Sequence, residues 1–225
     1  MALALHAVEA LAPYLKGARV LGLGYPDILA SEEDVERIFG VKVLRTIDAG
    51  SQHGITRPLV ETMELMRLLG STLECVDVKA WRGFERVLDL NEPHDLGAFD
   101  LVIDPGTSEH CFNVGQAIMN GAKAVKPGGR IWHSLPFTMV NHGFYNVCPT
   151  ALWDFYMQNG WTIDLYEVRN KNGAVALDER GAHARSAKTT SECGIICMAR
   201  RLTDAALRWP TQHKYLVMAA MKAAA

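Results

Sequence analysis

The chain has 225 residues, of which 49% are hydrophobic and 21% are charged, and its formal net charge is −2. This length and composition predict one sizeable globular domain, and the near-neutral charge argues against a nucleic-acid partner or an anionic membrane surface. No apolar stretch is long enough to span a bilayer. Residues 1–17 carry Glu9 and lack a basic leader, which indicates a short amphipathic helix and not a signal peptide.

The cysteines predict a reducing compartment. There are five of them, and most lie in apolar sequence, which is typical of buried free thiols in a cytoplasmic protein. Cys193 and Cys197 share one predicted strand, and their spacing is not a usual one for zinc ligands.

Helices and strands alternate along the chain, and this alternation predicts an α/β fold with a mainly parallel sheet. Ser31 suits a helix N-cap, Gly40 a helix end and Pro58 a first helical residue. No linker is visible, so we expect one α/β domain over 1–202 and a helical tail over 203–225. In chain order we predict a helix at 4–16, a strand at 19–23, a helix at 31–40, an irregular segment or short strand at 41–57, a helix at 58–69, strands at 73–78, 84–90 and 101–103, a helix near 114–122, a strand at 130–135, a helix at 149–159, and strands at 161–168 and 193–199.

The segment 99–136 has the strand, turn, helix, turn, strand order of a parallel crossover unit. Ligands of such sheets bind at the carboxyl ends of the strands. The polar segments 104–111 and 133–136 follow two of these strands, so we expect a functional site between them.

Three pieces of this segment, FDLVID (99–104), SEH (108–110) and AVKPGGRIWHS (124–134), resemble the central part of class I S-adenosylmethionine-dependent methyltransferases. With GYPD (24–27) and NHGFYN (141–146), the pattern is similar to a bacterial and phage subgroup of that family. The resemblance implies a Rossmann-like, doubly wound, mainly parallel seven-stranded sheet with an antiparallel last strand. It also implies S-adenosylmethionine as cofactor and a methyl acceptor that is a small molecule or glycan-like.

The resemblance assigns a set of cofactor contacts. The implied contacts are the glycine turn at Gly22 and Gly24, the ribose acid Asp77, the adenine neighbours Asp89 and Asn91, and the later residues Asp104, Glu109 and His110. For Asp77 the alternative is a surface acid at a strand end, and for Asp89 and Asn91 a hydrogen-bonded turn.

The glycine turn departs from the family pattern. Tyr25 and Pro26 follow Gly24, Pro26 lacks a backbone donor, and Gly22 stands where the family commonly has an acid. Either residues 48–54 rebuild the turn, or they form a surface loop and cofactor binding is weakened.

The candidate catalytic residues are Asp104, His110 and His133, and the candidate acceptor contacts are His53, His133, His142 and Tyr145. A histidine titrates near neutrality and can act as a base. The alternatives are a capping role for Asp104, packed histidines, and a simple connection at 141–146. The four histidines could also converge with Asp104 on a metal, but no pair has a local ligand spacing, so we expect no metal.

Two further segments carry open alternatives. The loop 169–191 is either a lid over an anionic acceptor or a solvated loop, and its basic residues are Arg169, Lys171, Arg180, His183, Arg185 and Lys188. The patch from Trp209 to Tyr215 packs either on its own domain or on a second subunit. For the whole chain, the alternative to methyl transfer is an inactive methyltransferase fold that serves as a binding or assembly module.

Overall fold

The computed structural model describes residues 1–184 and 191–223, which form an α/β structure. The strands are β1 (Ala2–Leu3), β2 (Arg19–Leu23), β3 (Asp27–Ile28), β4 (Thr46–Ile47), β5 (Leu59–Val60), β6 (Thr72–Asp77), β7 (Glu85–Val87), β8 (Phe99–Asp104), β9 (Val125–Pro136), β10 (Thr162–Asn170), β11 (Gly173–Ala176) and β12 (Gly194–Arg200). The α-helices are α1 (Leu5–Leu15), α2 (Glu32–Phe39), α3 (Thr62–Leu68), α4 (Val114–Lys123), α5 (Pro149–Gln158), α6 (Glu179–Ala182) and α7 (His213–Ala223). Short 3₁₀ turns span Gly50–His53 and Ser108–His110.

The main sheet has eight strands in the order β11-β10-β12-β9-β8-β2-β6-β7. Strands β9, β8, β2, β6 and β7 are parallel, whereas β12 is antiparallel to both β9 and β10. The chain leaves β2 for β6 on one side and returns to β8 on the other, so the topological switch point lies between β2 and β8. The Rossmann-like, doubly wound fold with an antiparallel last strand is therefore confirmed, and β11 is an eighth strand beyond the expected seven.

Two hydrophobic clusters cover the two faces of this sheet. Along β8, Val102 packs in the cluster on the α4 and α5 face, while Leu101 and Ile103 pack with α1 and α3 on the other face. All three side chains are fully buried. This alternation, with apolar residues on both faces, is typical of a central parallel strand covered by helices on each side.

A second, four-stranded sheet has the order β1-β3-β5-β4 and includes strands on both sides of the turn after β2. Helix α2 begins and ends as predicted, with Ser31 accepting a hydrogen bond from the Asp34 N–H and Gly40 in the left-handed region. The prediction of a helix from Pro58 was wrong, because β5 pairs with β3 and β4 and the Glu61 side chain caps α3 instead.

The last third of the chain also differs from the prediction. The segment predicted as a loop at 169–191 begins with a β10–β11 hairpin and continues into α6. Arg185 and Lys188 lie outside the described residues. The predicted strand at 84–90 is limited to β7. In the tail, the irregular residues before α7 attach to α5, since the Arg208 and Thr211 N–H groups donate to Asn159 and Gln158 at 2.8 and 2.9 Å.

Helix α7 itself has no buried residue. Within the parts of the chain that the structure describes, no helix has both the length and the apolar character needed to cross a membrane.

Candidate active site

Several of the polar residues singled out in the sequence lie around a cleft at the carboxyl ends of β8 and β9, next to the turn after β2. The Thr107 hydroxyl hydrogen-bonds to the Leu23 carbonyl oxygen, which ties the turn after β8 to the end of β2 at the switch point. A cavity of about 510 Å³ opens beside this tie, and Gln52, His53, Glu109, His110, Met139 and His142 are among its lining residues. The two segments expected to frame a site, 104–111 and 133–136, therefore lie next to each other.

The turn after β2 is compact and is held by β6 and by the residues that lead into α3. Only glycine fits at position 22, because a Cβ there would lie 2.6 Å from the Gly24 carbonyl oxygen. Gly24 has φ +78°, and its N–H donates to the Val76 carbonyl at 2.7 Å. The Tyr25 hydroxyl donates to Glu61 at 2.5 Å. The unusual Tyr-Pro sequence is thus accommodated by contacts with the residues that lead into α3.

The side chain of Met1 covers this turn. Its Sδ lies 2.7 Å from the Thr107 hydroxyl oxygen, and a Cβ at Gly24 would overlap it. The Met1 carbonyl also accepts from the Asp27 N–H at 3.3 Å. A ligand that approached the backbone of Gly24 would have to displace this side chain.

Asp77 ends β6 beside the turn. It is 6% exposed, and its Oδ2 has no hydrogen-bond partner among the residues that the structure describes. Burial raises the pKa of this carboxyl group, while the Lys79 and Val78 N–H groups partly oppose the rise. A buried carboxylate oxygen without a partner is costly and is suited to accept hydrogen bonds from a ligand.

His53 lies on the other side of the turn, in contact with Asp27. Its Nε2 is 2.9 Å from the Asp27 carboxylate, which also accepts from Arg82 at 2.6 Å. The segment 48–54 therefore does reach the turn through His53, whereas Asp48 is exposed. Asp27 and Arg82 were missed in the sequence, because nothing in their local spacing indicates that they meet.

Asp89 and Asn91 form a hydrogen-bonded turn. The Asp89 carboxylate accepts from the Asn91 N–H at 2.9 Å and from its Nδ2 at 2.7 Å. Asn91 in turn accepts from the Asn113 N–H at 2.7 Å, which connects this turn to the start of α4. Asp89 is exposed, and its carboxylate is used within this turn.

Asp104 and His133 belong to a buried chain of hydrogen bonds. Asp104 accepts from the Thr107 and Ser108 N–H groups, from the Ser108 hydroxyl and from His133 Nδ1 at 2.8 Å. His133 Nε2 is 2.5 Å from the Tyr156 hydroxyl, and neither Asp104 nor His133 has any exposed surface. Burial alone would raise the pKa of Asp104. The hydrogen bond and charge of His133, together with the hydrogen bonds from Ser108 and Thr107, outweigh burial and hold the pKa below its usual value.

This chain of hydrogen bonds fixes the loop 104–110 and does not reach the cleft. Asp104 and His133, two of the residues predicted to be catalytic, would therefore act by positioning that loop.

Glu109, His110 and His142 do face the cleft. The Glu109 side chain lies at the base of the cleft and is fully buried, whereas the imidazoles of His110 and His142 are about half exposed. Burial, together with the charge of Asp104, raises the pKa of Glu109 to about 8. Burial and the neighbouring His142 lower the pKa of His110, which favours its neutral form.

Tyr145 is placed away from the cleft. Its hydroxyl donates to the Phe112 carbonyl at 3.0 Å, and it lines a separate groove that includes Trp209. Of the described basic residues in 169–184, Arg169 and Lys171 line another cavity, of about 900 Å³, beside β10 and β12.

The fold of this chain is similar to that of solved protein structures. No protein-family model and no curated protein sequence matches the chain. Among similar solved structures, TehB from Haemophilus influenzae has 13% identity and a TM-score of 0.50, with 87% of this chain and 62% of TehB covered. The chain thus spans about 62% of the length of TehB. At this identity the similarity concerns the fold alone, and TehB shares the doubly wound α/β arrangement described above.

Two more distant similarities are to named methyltransferases. The 1,6-didemethyltoxoflavin-N1-methyltransferase of Burkholderia thailandensis, solved with S-adenosylhomocysteine, has 14% identity and a TM-score of 0.46, covering 88% of this chain and 78% of its own. The N-methyltransferase NodS of Bradyrhizobium japonicum has 12% identity and a TM-score of 0.42, covering 88% of this chain and 96% of its own.

Proposed function

We propose that this protein transfers a methyl group from S-adenosylmethionine to a small-molecule or glycan-like acceptor in the cleft described above. The observation that carries the proposal is the buried Oδ2 of Asp77, which has no hydrogen-bond partner among the described residues and lies beside the glycine turn at the switch point of this fold. Ligands of doubly wound sheets bind at this point.

The residues at the turn fit the cofactor. Asp77 Oδ2 is available to accept from ribose hydroxyls, and Gly24 leaves its backbone open once the Met1 side chain moves. The family resemblance would place Asn91 beside adenine, and Glu109 borders the cleft beyond the turn. When bound, S-adenosylmethionine supplies a methyl group on a positively charged sulfur, and the acceptor atom forms the new bond while the sulfur keeps the electron pair of the broken bond.

The cleft between 104–112 and 133–146 supports the choice of acceptor. Its volume of about 510 Å³ suits a small molecule or a sugar unit, and His53, His110 and His142 offer hydrogen-bonding groups. Methyl transfer depends chiefly on proximity and orientation, so a base is needed only for an acceptor such as a hydroxyl. His110 is suited to that role because its lowered pKa favours the form that accepts a proton.

The test is a ligand titration followed by thermal unfolding and calorimetry. A ligand at 100 times its dissociation constant adds about 2.7 kcal/mol to stability, or roughly 5–11 °C for a chain of this size. We expect this shift with S-adenosylmethionine or S-adenosylhomocysteine for the wild type and for Asp204→Asn, which removes an exposed acid in the tail. Asp77→Asn should remove most of it. Absence of any shift or heat at millimolar ligand in the folded wild type would contradict the proposal.

The structure of the glycine turn favours a second function. The Met1 side chain lies over Gly24, and Pro26 removes a backbone donor, so the turn has features of a site that no longer binds cofactor. The protein would then be a binding or assembly module with a methyltransferase fold. A folded wild-type protein that binds neither adenosyl ligand would favour this function.

All five cysteines are free, which supports our proposal of a reducing, cytoplasmic compartment.

A further inference from the structure

Glu109 is a buried acid without a hydrogen-bond partner. Its side chain has no exposed surface, and neither carboxylate oxygen has a partner among the described residues. Such a group costs stability unless something satisfies it. Two imidazoles lie next to it, with Nε2 of His110 and of His142 at 3.8 and 3.6 Å from Oε1.

These distances are too long for hydrogen bonds but are suited to a shared ion. A hydrogen bond between nitrogen and oxygen measures about 2.7–3.2 Å. Ligand atoms about 2.1 Å from a tetrahedral zinc ion lie roughly 3.4 Å from one another. All three ligand atoms, one from each side chain, lie within 4.8 Å of one another, so one ion could contact all three after small adjustments.

The backbone holds this arrangement in place. The Phe144 N–H donates to the Glu109 carbonyl at 2.9 Å, which pins the loop after β9 onto the loop after β8. A Cβ at Gly143 would lie 2.9 Å from Glu109 Cγ, so only glycine allows this close approach. His142 is thereby set against Glu109 from a distant part of the chain, which is why no local spacing in the sequence indicated a metal.

We propose that Glu109, His110 and His142 bind one divalent first-row transition-metal ion, with an open coordination position toward the cleft. Two imidazoles and one carboxylate are a common ligand set for zinc and iron and a poor one for magnesium. The half-exposed histidines leave the fourth side of the ion accessible from the cavity.

The use of the ion rests on the proposed function. An acceptor hydroxyl bound at the open position would release its proton to water in the open cleft more easily, because a divalent cation lowers the pKa of a coordinated oxygen. In the metal-loaded protein His110 is then a ligand, and the acceptor oxygen no longer depends on it as a base. Metal binding itself does not depend on methyl transfer.

The test is a zinc titration of metal-stripped protein by calorimetry, with metal content measured after gel filtration. We expect Glu109→Gln and His142→Ala to weaken binding at one site at least tenfold while both variants stay folded by circular dichroism. The matched control is His183→Ala, in the separate group of Asp154, His183 and His213, which has similar ligand types at α5 and α7. That variant should leave the cleft site unchanged.

Two results would overturn the inference: no zinc binding by the wild type at 100-fold excess, or zinc binding that both cleft variants retain within threefold. Magnesium is run in parallel and should bind at least tenfold more weakly than zinc. Titration of the metal-free protein with S-adenosylhomocysteine separates the two proposals. Adenosyl binding without zinc binding refutes the metal site alone, and zinc binding without adenosyl binding refutes the methyltransferase proposal alone.

Discussion

Tyr156→Phe tests whether the buried chain of Asp104, His133 and Tyr156 is structural. The substitution removes one hydroxyl and keeps the ring, which packs against Phe155 and Trp161. In the neutral imidazole, Nδ1–H donates to Asp104, and Nε2 accepts from the Tyr156 hydroxyl at 2.5 Å. The variant leaves Nε2 without a partner in a place that solvent does not reach.

The expected loss follows from this geometry. Leaving one buried polar group unpaired costs about 1–3 kcal/mol. For a domain of this size, 1 kcal/mol corresponds to about 2–4 °C, so the unfolding temperature should fall by roughly 2–12 °C. Urea denaturation should show a lower midpoint with an unchanged slope, since the surface exposed on unfolding is the same.

Tyr145→Phe is the matched control. It removes a hydroxyl that also makes one hydrogen bond, to the Phe112 carbonyl, but from a side chain that is 37% exposed. Water can replace that bond, so the loss should stay within about 0.5 kcal/mol. Equal losses in the two variants, or no loss in Tyr156→Phe, would refute the view that this chain of hydrogen bonds supports the loop 104–110.

Three further predictions concern stability and reactivity. Burial raises the pKa of Asp77 above its unfolded value of about 3.9. The contribution of this group to the free energy of unfolding is therefore fully present below that pH, and it is lost as pH rises and the buried carboxyl group loses its proton. Asp77→Asn should therefore melt higher than the wild type at pH 7 and equally near pH 3, in melts across pH without ligand. Gly50→Ala should destabilise more than Gly54→Ala in urea denaturation. A Cβ at position 50 would overlap two carbonyl oxygens, whereas position 54 adjoins open space and its left-handed φ of +69° costs alanine only about 1–2 kcal/mol. Mass mapping after brief alkylation should find the exposed Cys148 modified and Cys75 protected until unfolding, since burial raises the pKa of Cys75 to about 12.

Local signals were reliable where short-range physics decides the structure. Ser31 and Gly40 mark the two ends of α2 as expected, because an N-cap and a left-handed helix end depend on neighbouring residues only. Pro58 also looked like a helix start, but Leu59 and Val60 pair with strands distant in the sequence. That pairing outweighed the local preference.

In the candidate site, too, some features were predictable from the sequence and others depend on contacts between distant segments. The sequence placed polar residues at the ends of β8 and β9, and the cleft lies there. Which histidines face it was not predictable, since His133 lies within β9 and points inward to Asp104, whereas His110 and His142 lie on the loops. The pairing of Glu109 with His142 depends on a backbone contact between those two loops.

The sequence by itself determined the order of most strands of the main sheet and of helices α1, α2, α4 and α5, the parallel crossover unit and hence the edge of the sheet where the cleft forms. Periodicity and turn residues act over a few positions, and they suffice for that much. Only the tertiary structure decided which polar groups are buried, partnered or left without a partner. Burial and hydrogen bonding at Asp77, Glu109 and His133 depend on atoms contributed by distant segments, and no local pattern specifies them.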